Sequence, residues 1–87
     1  IMYTLKYSER AIKQLKKLDK GTQKLILTWL GKNLENCDNP RLKGKGLTAN
    51  RSGEWRYRVG NYRIICDIRD KELIILALSI GHRRNIY

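Results

Sequence analysis

The sequence predicts one α+β domain: an N-terminal strand, an antiparallel two-helix hairpin, then a three-stranded antiparallel meander, with the strands forming one sheet packed on the helices. Three observations predict it. Tyr3 to Tyr7 alternates apolar and polar side chains, the period of a half-buried strand. Apolar residues then recur at helical spacing from Ala11 to Cys37, with one short break. From Trp55 onward the chain reads as strand-like runs separated by two-residue turn signals.

Taken in order, Ser8 is placed to cap the first helix, in which Ala11, Ile12, Leu15 and Leu18 face one way and Lys13, Gln14, Lys16 and Lys17 the other. Asp19-Lys20-Gly21 breaks that pattern, and Thr22 is the expected cap of the second helix. Its apolar stripe is Leu25, Ile26, Trp29, Leu30, Leu34 and Cys37. The short connection makes the pair a hairpin. Asp38-Asn39-Pro40 ends the helical region. Arg41 to Gly53 holds three of the seven glycines and has no clear period, so it reads as a long loop, with Lys43 and Lys45 on either side of Gly44. Strands are expected at Trp55–Val59, Tyr62–Ile68 and Leu73–Ile80, with turns at Gly60-Asn61 and Asp70-Lys71. The nearly continuous apolar run from Leu73 to Ile80 predicts a central strand covered on both faces. Trp29 and Trp55 are expected in the core.

Eighty-seven residues suffice for one core and not two, so residues 1–87 are read as a single domain. Nineteen Lys and Arg against eight Asp and Glu leave a net charge of +11. Such an excess repels itself in a compact chain and is best tolerated beside a polyanion. Cys37 and Cys66 are far apart with no CxxC pattern, which argues against a disulfide framework or a zinc site and fits a cytoplasmic protein. Cys66 lies in an apolar run and reads as core. No apolar run approaches the length of a membrane span, and no signal peptide is recognisable.

The sharpest expectation concerns register. A two-residue turn at Gly60-Asn61 sets Val59 opposite Tyr62 and Arg58 opposite Arg63, and alternation puts Arg56 on the same face. Trp55, Tyr57, Val59, Tyr62 and Ile64 take the other face. Two unit charges about 5 Å apart repel by roughly 0.8 kcal/mol even in bulk water, so this patch costs stability. It makes sense where a phosphate belongs, because a guanidinium fork matches phosphate oxygens. The alternative is a plain solvated basic face. Beyond the last strand come Gly81-His82-Arg83-Arg84-Asn85-Ile86-Tyr87, with the chain's single histidine, a side-chain type suited to proton transfer.

Two segments carry a family resemblance. Arg51-Ser52-Gly53-Glu54-Trp55-Arg56-Tyr57-Arg58-Val59-Gly60-Asn61-Tyr62-Arg63-Ile64-Ile65 and the closing Gly81 to Tyr87 resemble the RelE family of the RelE/ParE toxin–antitoxin superfamily. The resemblance extends over nearly the whole chain. It implies a toxin that acts in a bacterium as a ribosome-dependent endoribonuclease and cuts mRNA in the A site. The 2′-hydroxyl attacks the adjacent phosphate, with no metal and no cofactor. Implied partners are the 70S ribosome, mRNA and a cognate RelB-like antitoxin with an acidic segment; no membrane is involved, and the toxin alone is expected to be a monomer.

Carried over by position, Arg56 and Arg58 match two cationic residues of one family strand, and Arg63 the phosphate-binding arginine of the next. Arg83 matches a C-terminal arginine, and Tyr87 a tyrosine that stacks on a base. Lys43, Lys45, Arg51 and Arg84 are the further RNA-binding candidates. The best-known members carry lysines where this chain has Arg56 and Arg58, one of them cast as the general base. Arginine does not deprotonate in proteins, so the base here is assigned to His82, with Tyr87 second. Two other readings stand beside this one: a ParE-type inhibitor of DNA gyrase, which hydrolyses nothing, and a non-catalytic RNA-binding module.

Overall fold

A computed structural model describes residues 1–82. The elements are β1 (Thr4–Tyr7), α1 (Glu9–Lys16), α2 (Lys20–Asn33), β2 (Lys45–Gly46), a 3₁₀ turn (Ala49–Arg51), β3 (Glu54–Val59), β4 (Tyr62–Arg69) and β5 (Ile74–His82). The strands form one sheet in the order β1-β5-β4-β3-β2. β1 runs parallel to β5, and every other pair is antiparallel. The α+β class and the order of strand, helix pair and meander are as expected, with β2 as an added edge strand.

Local chemistry explains the helix starts. Ser8 Oγ accepts from the Ala11 backbone N–H at 3.0 Å, the expected cap of α1. The second cap differs from expectation. Asp19, not Thr22, closes α2: its carboxylate accepts from Thr22 N–H at 3.2 Å and from Thr22 Oγ1 at 2.6 Å. These bonds hold the Asp19 carboxyl below its ordinary range. Lys20 and Gly21, read as a break, are therefore the first helical turn. Gln23 then donates to Leu18 O at 2.8 Å and ties the connection between the helices.

Both helices cover one face of the sheet. Ala11, Ile26, Leu30 and Leu34 pack with Tyr57, Val59, Ile64, Cys66, Ile75, Ala77 and Ile80 in a single core. The Trp29 and Tyr57 rings meet at 5.8 Å. Trp29 and Trp55 are half-buried against this core rather than enclosed by it. Cys66 is fully buried, and burial pushes its thiol up to about 12, so it is packing and not a nucleophile. β5 has neighbours on both sides, but the helices cover only one of its faces. Ile75 and Ala77 are buried, whereas Ile74 and Leu76 are half-exposed on the other face, which corrects the expectation of cover on both.

The stretch from Arg41 to Gly53, read as a long loop, is instead fastened to β3. The Tyr57 hydroxyl donates to Pro40 O, and Trp55 Nε1 donates to Lys43 O at 2.7 Å. Arg41 makes two 3.0 Å bonds to the Asp70 carboxylate and lies over the Trp55 ring at 5.9 Å. Tyr3 OH donates to the same carboxylate at 2.6 Å. Gly44 has φ +83°, and a Cβ there would stand 2.3 Å from Arg56 O, so only glycine allows this approach. The segment then pairs Lys45 with Arg56 and Gly46 with Trp55 as β2. No helix among the described residues is long and apolar enough to cross a membrane.

Candidate functional site

The face of the sheet away from the helices holds the candidate site. Val59 pairs with Tyr62 and Arg58 with Arg63, the register expected from the two-residue turn. Paired residues and alternate residues along a strand share a face. Arg56, Arg58 and Arg63 therefore stand together, joined by Lys45 opposite Arg56. The same face carries Ile65, opposite Arg56, and Ser79, opposite Ile65; both are buried.

Arg56 and Arg63 line an open cavity of about 530 Å³ with Leu47, Thr48, Asn50 and Arg51. Its far wall is the loop between β2 and β3. That loop turns back through Ala49 at φ +57° and Gly53 at φ +98°, with Ser52 N–H bonded to Ala49 O at 3.1 Å. It is tied to the strand by Leu47 N–H donating to Glu54 O at 2.9 Å. Arg51, expected as an RNA contact, thus lines the cavity with the sheet arginines, its guanidinium 3.0 Å from the Glu54 carboxylate. The Arg56 Nε–H is buried and has no hydrogen-bond partner among the described residues. A buried donor of this kind favours an incoming acceptor oxygen.

Acids on this face are few and engaged. Glu54 and Asp67 face each other across β3 and β4, Glu54 bonded to Arg51 at 3.0 Å and Asp67 to Arg69 at 2.9 Å. Among the described residues no three His, Cys, Asp or Glu side chains gather as a metal site. What converges on the cavity is guanidinium, with a hydroxyl and an amide at the rim. Such a set suits holding a phosphodiester and stabilising added negative charge on it.

His82 lies elsewhere. It pairs with Tyr62, and the two rings meet edge-on at 5.5 Å. Tyr62 belongs to the helix-covered face, so His82 is on that side at the sheet's end, while its neighbour Gly81 is opposite Arg63. A β-bulge between Ile65 and Cys66, facing Ser79 and Ala77, causes this. One extra residue in β5 reverses the parity beyond it. Lys43 is exposed, held by its carbonyl to Trp55. Arg83, Arg84 and Tyr87 lie outside the described residues. Leu47, Thr48 and Asn50 were missed by sequence reasoning, and only their place before the arginine strand pointed to them.

The profile for the ParE toxin of type II toxin–antitoxin systems matches residues 5–87. The chain belongs to the RelE/ParE superfamily of type II toxins. A RelE-like toxin protein from Escherichia coli is 30% identical over 82 residues, spanning 93% of this chain and 83% of that protein. The RelBE2 toxin–antitoxin complex from Mycobacterium tuberculosis superposes with TM-score 0.86 at 25% identity, covering 98% of this chain and 95% of that one. The archaeal RelE–RelB complex from Pyrococcus horikoshii does so with TM-score 0.73 at 26% identity, covering 98% and 99%. The RelE resemblance read from the two arginine-bearing segments therefore holds, within a superfamily whose ParE profile also spans the site.

Proposed function

We propose that this toxin is a ribosome-dependent endoribonuclease that cleaves mRNA in the A site. The observation that carries the reading is the cavity in which Arg51, Arg56 and Arg63 converge, with Arg58 opposite Arg63. Like charges directly opposite one another cost a sheet stability, and a phosphodiester offsets that repulsion.

In the proposed reaction the ribose 2′-oxygen attacks the adjacent phosphorus as a base takes its proton. The bond to the 5′-oxygen breaks as that oxygen gains a proton, leaving a 2′,3′-cyclic phosphate and a 5′-hydroxyl. Arg56 and Arg63 stabilise the pentacoordinate phosphate, with Arg58 next to Arg63 and Arg83 assigned a supporting role by its family position. With Glu54 and Asp67 each bonded to an arginine, charge stabilisation falls to guanidinium groups and needs no metal. His82 is the assigned base and Tyr87 the second choice. Because His82 stands on the helix side of the sheet's end, its role requires RNA to pass over the end of β5. Lys43, Lys45, Arg51 and Arg84 hold flanking phosphates, and Tyr87 stacks on a base. The solved complexes of related RelE proteins with RelB support a cognate antitoxin, whose acidic segment would cover the basic face. The toxin alone acts in the cytoplasm as a monomer.

The ParE profile match gives a second reading, inhibition of DNA gyrase without hydrolysis. Cleavage of mRNA on programmed 70S ribosomes with an empty A site separates the two. Wild type is expected to make one A-site cut that Arg63→Ala loses, and the His82→Ala rate reports whether the imidazole moves the proton. No cut by folded wild type, together with inhibited supercoiling by gyrase, would replace the first reading with the second.

A further inference from the structure

Two of the three arginines lining the cavity are fixed by the sheet ladder, and the third is not. Arg51 ends a 3₁₀ turn in a loop that contains two residues of positive φ. It lines the same cavity as Arg56 and Arg63, and like charge disfavours bringing it there. A long side chain in that position ordinarily samples many rotamers, and RNA would have to order it on arrival.

Glu54 opposes both effects. It is the first residue of β3, on the arginine face and two positions from Arg56, and its carboxylate bonds the Arg51 guanidinium at 3.0 Å. The pair is sheltered, with side-chain exposures of 36% and 29%, so it is screened less than a fully solvated one. Glu54 does not itself line the cavity. Its neighbour across the ladder, Asp67, is engaged by Arg69 and leaves Glu54 to Arg51. A guanidinium carries five N–H donors, so a bond to Glu54 and a bond to phosphate are compatible.

We propose that Glu54 is a positioning residue that holds Arg51 over the cavity, so that an RNA phosphate meets three guanidinium groups already in place. This rests on the reading of the cavity as an RNA site. Glu54 touches neither RNA nor the reacting atoms. It acts on binding through Arg51, and the chemical step does not depend on its proton.

The test compares wild type, Glu54→Ala, Glu54→Gln, Arg51→Ala and the Arg51→Ala/Glu54→Ala double variant in two assays. One is A-site cleavage, giving kcat and KM. The other is equilibrium binding of a fluorescent 2′-O-methylated single-stranded oligoribonucleotide, which binds but offers no 2′-hydroxyl. Glu54→Ala is expected to raise KM and the oligonucleotide Kd by roughly two- to tenfold, the cost of ordering one long side chain, with kcat nearly unchanged. Glu54→Gln keeps an acceptor oxygen and restores most of the loss. In the Arg51→Ala background Glu54→Ala adds nothing, because the residue it positions is gone. A hundredfold fall of kcat in Glu54→Gln would overturn the proposal and make the carboxylate the base. It would equally be overturned by an unchanged Glu54→Ala, or by a loss that persists without Arg51. Should wild type cut no RNA, the oligonucleotide assay still decides on Glu54, and failure of wild type to bind the oligonucleotide sinks this proposal.

Discussion

The two faces of β3 make opposite use of alternate residues. Trp55, Tyr57 and Val59 point toward the helices, where Tyr57 and Val59 are buried. Arg56 and Arg58 point the other way, into a field of like charge. The first set stabilises the sheet, and the second strains it. The difference teaches that stability and chemistry are divided at single-residue resolution, so substitutions on either side of one strand should fail in different ways.

The helix side should give the largest effect on folding. Leu30→Ala opens a cavity in the fully buried cluster and is expected to cost about 2–5 kcal/mol in denaturant unfolding, while the folded fraction keeps its activity. On the arginine side Arg63→Ala should lower the proposed A-site cleavage by roughly 100- to 1,000-fold, worth about 2.7–4 kcal/mol at the transition state. Its Tm should hold or rise slightly, because a like-charge pair with Arg58 is relieved. Equal losses of stability in the two variants would break the comparison.

Smaller effects sharpen it at the junction of the faces. Gly44→Ala must accommodate a Cβ against Arg56 O at a positive φ, so unfolding should show a loss of about 1–3 kcal/mol and a weakened hold on Lys45. The smallest effect is expected from Asp70→Asn. The Arg41 guanidinium, then the Tyr3 hydroxyl, hold the Asp70 carboxyl below its ordinary range. A lowered folded pKa adds stability that is present above the unfolded value, about 3.9, and is lost as pH falls through the folded one. Wild type should therefore exceed Asp70→Asn in Tm at neutral pH, with the gap closing only below about pH 4. A gap that widens on acidification would contradict the assignment.

The arginine row was legible in the sequence because a two-residue turn and strict alternation leave one register, which the ladder keeps. The Ser8 cap of α1 and the buried Ile26 and Leu30 of α2 were legible for similar local reasons. Leu25, expected in the same stripe, is exposed, and Cys37 lies beyond the helix end at Asn33. β2 was not legible. Lys45-Gly46 pairs as a strand where Trp55 and Tyr57 hold the preceding segment by side-chain bonds to Lys43 and Pro40, residues far apart in sequence. The cavity wall of Leu47, Thr48 and Asn50 depends on positive φ at Ala49, which nothing in the sequence marks. His82 illustrates the limit best. Unbroken alternation from Ala77, on the helix side, would have set it among the arginines, and the single bulge at Ile65/Cys66 sends it to the other face.

The parallel pairing of β1 with β5 has a kinetic consequence. The Ser8 hydroxyl bonds to Leu78 O across a sequence separation of 70, whereas β3 and β4 meet across a two-residue turn. Loop-closure entropy makes the hairpin an early event and the β1–β5 contact a late one. Substitutions in β1 such as Leu5→Ala are thus expected to speed unfolding and leave the refolding rate nearly unchanged, whereas Val59→Ala should slow refolding. The arginine row would then take shape on a hairpin that forms before the sheet beneath it is complete.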